Sequence, residues 1–206
     1  MSIRLFIALM CAVMCLWVPE VAAQDDDGFF SEKPIAEVKK KKVRKEKKTV
    51  AAVPKALRKL KRVSGKVNTK AVLYVYLESA SWCLPCKKIM PDVVKLYKKM
   101  RKDGRVEIVL IGHDRTPEGV AAYIKGYKSR MPAFFSGDKN IDKLPGYSRA
   151  GGIPHATVVA ADGTVVTSGY PTSILPSWEK MADKAEEEAK AAEEAVEEAA
   201  ADEDDI

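Results

Sequence analysis

Apolar residues along this chain gather into blocks of two kinds. Residues 71–77 (A-V-L-Y-V-Y-L) and 106–111 are near-continuous apolar runs bounded by polar residues, the pattern of strands buried on both faces. Between them Ile89, Val93, Val94, Leu96, Tyr97 and Met100 recur at helical spacing until Gly104, and Pro91 inside that helix predicts a kink. Thr116 as N-cap and Pro117 at the first helical position begin another helix that runs to about Tyr127. Residues 156–160 read as a third strand, Asp162 and Gly163 as a hairpin turn, and residues 164–168 as a returning fourth strand. Upstream, Pro54 opens a helix whose Ala56, Leu57, Leu60 and Val63 share a face and which Gly65 ends. Residues 129–152 keep no clean period and read as a short helix with long loops. From Ser177 the chain is an Ala/Glu-rich helix in which Trp178, Met181 and Ala185 are spaced to pack inward, while beyond Glu186 the outer face is acidic. Two strands around one helix imply a parallel βαβ unit, and the hairpin adds an antiparallel pair. The expected fold class is α/β, a mixed sheet with helices on both faces.

Charge divides the chain further. The net +6 conceals a Lys/Arg-dominated stretch from residue 33 to 66, including Lys39, Lys40, Lys41 and Lys42, and a Glu/Asp-dominated stretch from 179 to 205. Residues 24–53 lack hydrophobic periodicity and read as a disordered basic arm. Before it, Arg4 precedes an apolar run from residue 5 to 18, followed by small residues up to Ala23. At about 14 residues the run falls short of the ~20 that span a bilayer, so residues 1–23 read as a cleaved secretory signal, with an uncleaved anchor as the alternative. The expected organisation is therefore signal 1–23, basic arm 24–53, folded domain 54–177 and acidic helix and tail 178–206. Such a signal fits export to a bacterial periplasm. The arm suits contact with anionic surfaces or service as a solvated linker, and its lysines carry no interleaved aromatics for specific nucleic-acid reading. Opposite charge also allows the two tails to pair.

Export changes the cysteine arithmetic. Cys11 and Cys15 leave with the signal, and only Cys83 and Cys86 remain. An exported domain with no framework of bridges must rest on its apolar core, so its one pair is placed to act rather than to staple. Cys83 directly follows the first strand and begins the helix, where free N–H groups and the helix dipole favour a thiolate. Cys86 lies one turn further in, within reach of a mixed disulfide formed at Cys83. Trp82 would shelter the pair while the end of Cys83 stays reachable.

Trp82-Cys83-Leu84-Pro85-Cys86-Lys87, with Pro91 five residues beyond the second cysteine, resembles the active-site stretch of the thioredoxin superfamily. Gly151-Gly152-Ile153-Pro154 ahead of a strand is similar to the family's cis-proline loop. The long stretch from Ile111 to Gly152 resembles tryparedoxins, nucleoredoxins and periplasmic thioredoxin-like proteins. The resemblance covers roughly residues 70 to 170. It implies a three-layer thioredoxin-like fold, Cys83 as attacking thiol, Cys86 as resolving thiol, a cis Pro154, and Ile153 offering backbone groups to an extended client segment. It implies no cofactor, because the electrons reside in the dithiol; the partners are client protein disulfides and an external thiol donor. Two departures matter. The family's buried aspartate, six residues before the first cysteine, is here Leu77, with Glu78 beside it expected to face the other way. His155 follows Pro154 where thioredoxins usually carry Thr, so Glu78 and His155 are candidate modulators. Leu84 and Pro85 offer the thiolate neither charge nor donor, which favours the reducing end of a range running from roughly −270 mV to about −120 mV.

Two other readings stay open. A metal carrier of the same fold would need Cys83 and Cys86 supplemented by His113 and His155, both expected on the active-site rim, against the four ligands of a closed site. A redox-inactive binding module would leave the cysteines idle and use the basic arm.

Overall fold

The computed structural model describes residues 52–201, with side chains to residue 194. The expected signal peptide and nearly all of the basic arm lie outside the described residues.

The buried runs become the two central strands. β2 (Leu73–Ser79) and β3 (Val106–Gly112) are buried along their whole lengths and pair in parallel, Leu73 opposite Val106 through Ser79 opposite Gly112. Crossing between them is α2 (Leu84–Asp103), which ends where Gly104 adopts a left-handed φ of 92° and donates its N–H to the Met100 carbonyl. Glycine takes that conformation without a Cβ clash, and this is why the helix stops here. After β3, Thr116 caps α3 (Pro117–Gly126) by accepting the Gly119 N–H. β5 (His155–Ala160) then runs antiparallel to β2, and β6 (Val165–Gly169) returns beside it.

With β1 (Arg62–Ser64) and β4 (Ala133–Phe135), the described residues form a six-stranded sheet in the order β1-β4-β3-β2-β5-β6. Two of them depart from the sequence reading. Val63, expected on a helix, lies in β1 (Arg62–Ser64), because α1 (Ala52–Leu57) ends early and the chain pairs antiparallel with β4 (Ala133–Phe135). β4 itself arises within residues 129–152, where a short helix was expected, and only a 3-10 turn, Ile141–Lys143, follows it. Strands this short carry too little local pattern; their partners define them.

Side-chain alternation along β2 builds two cores. Leu73, Val75 and Leu77 enter a cluster with Val93, Tyr97 and Met100 of α2 and with α3. Tyr74 and Tyr76 enter the opposite cluster with Val53 and Leu57 of α1 and with Ile141. Helices thus cover both faces, as a three-layer α/β fold requires. Val53 is fully buried, so the fold begins before residue 54, and beyond α4 (Pro171–Ile174) and the 3-10 turn Leu175–Ser177, α5 (Trp178–Ala201) buries Trp178 and Ala182 in the first cluster. Residues 186–194 of α5 are exposed. Among the described residues no helix is long and apolar enough to cross a membrane.

Candidate active site

Cys83 is the N-cap of α2, and Pro85 occupies the first helical turn, where its missing N–H costs nothing. In that position the Cys83 Sγ accepts the Cys86 N–H at 3.2 Å. The two sulfurs form a disulfide, S–S 2.09 Å, the oxidised state of the pair. Cys86 is fully buried, and Cys83 is only 5% exposed, less open than the sequence reading supposed. The apolar surface beside it belongs instead to Trp82, 61% exposed, and Leu84, 74% exposed. Trp82 is held by its indole N–H, which donates to the His113 carbonyl at 3.0 Å.

Residues from the far end of the domain complete the site. The Ile153–Pro154 peptide is cis. Ile153 packs against Ala80, Cys83 and Cys86, with its carbonyl oxygen 3.7 Å from the Cys83 Sγ. His155 starts β5 opposite Glu78 in the register, half-buried, with no side-chain hydrogen bond among the described residues. Leu77 is buried in the α2-side core, where the resemblance would have an aspartate.

Glu78 turns to the other face. It is 1% exposed, and its carboxylate meets the His113 Nε2 at 2.8 Å, the Tyr147 hydroxyl at 3.0 Å and the Ala150 N–H at 2.9 Å. Burial by itself would raise this acid; the hydrogen bonds from His113, Ala150 and Tyr147 outweigh burial and hold it below the usual glutamate range. Burial, with the Glu78 charge adding to it, pushes the Tyr147 hydroxyl up in turn. His113 was expected on the active-site rim, available to a metal. Its ring is instead committed to Glu78, because the end of β3 aims it to the face away from α2. Among the described residues no group of three or more His, Cys, Asp or Glu is arranged to hold a metal ion.

Sequence reasoning missed Asp114. Its Oδ1 accepts both the N–H and the hydroxyl of Ser81, pinning the segment that leads to Trp82 and Cys83. Its Oδ2 is buried without a hydrogen-bond partner among the described residues. Asp114 also lines an open cleft of about 610 Å³ beside Trp82, shared with Ser81, His113, Arg115, Thr116 and Gly119. The available signal was a short polar residue just past a buried strand, which is too common to single out. Tyr147 escaped notice for a similar reason: it sits in a loop with no period.

This chain has recognisable relatives. A family profile described as thioredoxin-like matches residues 69–165. The thiol-disulfide oxidoreductase ResA of a Bacillus cereus strain is 35% identical over 86 residues, covering 42% of this chain and 47% of that protein. Nucleoredoxin of Xenopus laevis is 32% identical over 101 residues, 47% of this chain and 23% of that protein. The chain thus spans about half the length, or less, of these curated relatives. Tryparedoxin II from C. fasciculata superposes with a TM-score of 0.51 at 23% identity, over 63% of this chain and 91% of that one, a likeness of fold. Profile, curated relatives and the six-stranded mixed sheet agree that residues 69–165 form a thioredoxin-like domain.

Proposed function

We propose that this protein is an exported thiol–disulfide oxidoreductase that acts on client protein disulfides through Cys83 and Cys86, in the reducing or isomerising direction. The observation that carries the reading is the N-cap geometry. Cys83 Sγ lies at the start of a 20-residue helix, accepts the Cys86 N–H at 3.2 Å and faces the Ile153 carbonyl at 3.7 Å. A helix N-terminus stabilises the thiolate that attacks the client disulfide.

The chemistry balances as follows. In the reduced protein the Cys83 thiolate attacks one sulfur of a client disulfide; the client S–S bond breaks, a Cys83–client bond forms, and a client thiolate leaves. Cys86, deprotonated, then attacks the Cys83 Sγ, closing the Cys83–Cys86 disulfide and releasing the second client sulfur. Two electrons pass from the dithiol to the client, together with two protons. An external thiol donor of unspecified identity, itself oxidised to a disulfide, restores the reduced form, and no further cofactor is needed. Trp82 and Leu84 would bear on the apolar flank of the client, and the backbone at Ile153 and Pro154 would accept its extended segment. Export rests on residues 1–23 as a cleaved signal, which points to a bacterial periplasm, and residues 24–53 would contact anionic surfaces there.

Insulin reduction driven by dithiothreitol tests the activity. Wild type is expected to be active and Cys83→Ser inactive, while Cys86→Ser accumulates a mixed disulfide visible on a non-reducing gel. Equal rates for wild type and Cys83→Ser would end the proposal. The direction is tested by equilibration with glutathione: a potential more oxidising than about −180 mV would reverse it.

A further inference from the structure

Two loops must be held together for Ile153 to face Cys83, and both are tied to Glu78. On one side, its carboxylate accepts the Ala150 N–H at 2.9 Å, four residues before Pro154. This is the one hydrogen bond made by the backbone of residues 148–152 among the described residues. Gly151 and Gly152, which follow, are exposed, and a Cβ at either would meet nothing within 4 Å. Little else therefore restrains the step from Ala150 to Ile153. Tyr147 adds a second tether at 3.0 Å, and Arg149 reaches outward to Asp142 and the Ser136 carbonyl.

On the other side, the same carboxylate holds the His113 ring at 2.8 Å. The His113 backbone then grips the active-site loop. Its N–H donates to the Ser79 carbonyl at 2.8 Å, and its carbonyl accepts the Trp82 indole at 3.0 Å. A carboxylate this deep is costly to bury, and an apolar side chain in the same space would pack without that cost. Its three donors come from 35, 69 and 72 residues away in the chain, and all serve segments that border the disulfide.

We propose that Glu78 is a positioning residue that holds the Ile153–Pro154 edge and the Trp82 indole in register with Cys83, so that it governs the docking of a protein client. The inference rests on the oxidoreductase reading above. It separates two quantities. Docking of an extended client needs the whole register, whereas attack on a small, unstructured disulfide needs only the Cys83 sulfur.

The test compares wild type, Glu78→Leu and Glu78→Gln on two substrates, insulin and the small aromatic disulfide dithiobis-nitrobenzoate. Removing charged hydrogen bonds from Ala150 and His113 is expected to raise the KM for insulin about tenfold in Glu78→Leu. The rate with dithiobis-nitrobenzoate should stay within about twofold of wild type, since the N-cap geometry of Cys83 is untouched. Glu78→Gln keeps an acceptor oxygen for the Ala150 N–H and should recover most of the insulin KM. If Glu78→Leu does not fold, Glu78→Ala, which likewise leaves the Ala150 N–H and His113 without the carboxylate, takes its place in both assays. Hydrogen exchange at the Ala150 amide should accelerate in Glu78→Leu and much less in Glu78→Gln. An unshifted insulin KM in the folded variants, or an equal loss on both substrates, would overturn the positioning role while leaving the oxidoreductase reading intact. A wild-type protein inert toward both substrates would sink the two together.

Discussion

The start of α5 belongs to the domain core, whereas its residues 186–194 are exposed; replacing Trp178 by alanine tests the first half of that statement. Trp178 is 5% exposed and shares an apolar cluster with Leu175, Ala182 and residues of α2 and β2. A buried Trp removes roughly 150–250 Å² from water, which at about 25 cal/mol per Å² corresponds to about 4–6 kcal/mol. Alanine retains the Cβ, and the neighbours relax only in part, so a loss of about 3–5 kcal/mol is expected. For a domain of this size that shifts Tm by roughly 10 °C. The contrasting perturbation is deletion of residues 187–206. Side chains at 187–194 are exposed, so this deletion should change the unfolding free energy by less than about 0.5 kcal/mol. Both are measured by urea unfolding of the oxidised protein, with the slope checked for constancy. A Trp178→Ala loss under about 1 kcal/mol, or a truncation as damaging as the point substitution, would refute the packing argument.

Two further predictions concern single sites. Glu107 is buried, and burial raises its pKa despite hydrogen bonds from the Asn68 N–H and the Tyr97 hydroxyl. A raised acid binds its proton more tightly in the folded chain, so the associated stability is present below the ordinary glutamate pKa and is lost as pH rises through the folded value. Glu107→Gln removes that loss, and its urea midpoint relative to wild type should climb as pH rises above about 4; a flat difference would contradict the assignment. Gly104→Ala places a Cβ at φ 92° with nothing within 4 Å to clash, so the cost is conformational alone. About 1–2 kcal/mol is expected in thermal unfolding, and a neutral outcome would mean the cap had rearranged.

Legibility from sequence followed the range of the interactions. The cysteine pair could be placed at a strand–helix junction because the apolar run before it, Pro85 and the helical period after it are neighbours in the chain. Gly104 and Thr116 marked helix ends through their own backbone geometry and capping bonds, which are local too. The partner of β1 lies about seventy residues on, and neither β1 nor β4 is long enough to show a period, so the local spacing alone puts Val63 on a helix. His113 shows the same limit at the site. Strand alternation fixes which way a side chain points only once the strand's end is known, and β3 continues to Gly112, which turns the ring toward Glu78 and away from the cysteines.

What the sequence determined by itself was the kind of chemistry: two cysteines on the first turn of a helix behind a buried strand, with a glycine-proline loop far downstream. Tertiary structure decided the geometry around them. It brought the Ile153 carbonyl to within 3.7 Å of Cys83 across 70 residues and gathered three separate donors on Glu78. Contacts of that separation leave no periodic trace in a chain, because each depends on the packing of elements whose own patterns say nothing about their neighbours.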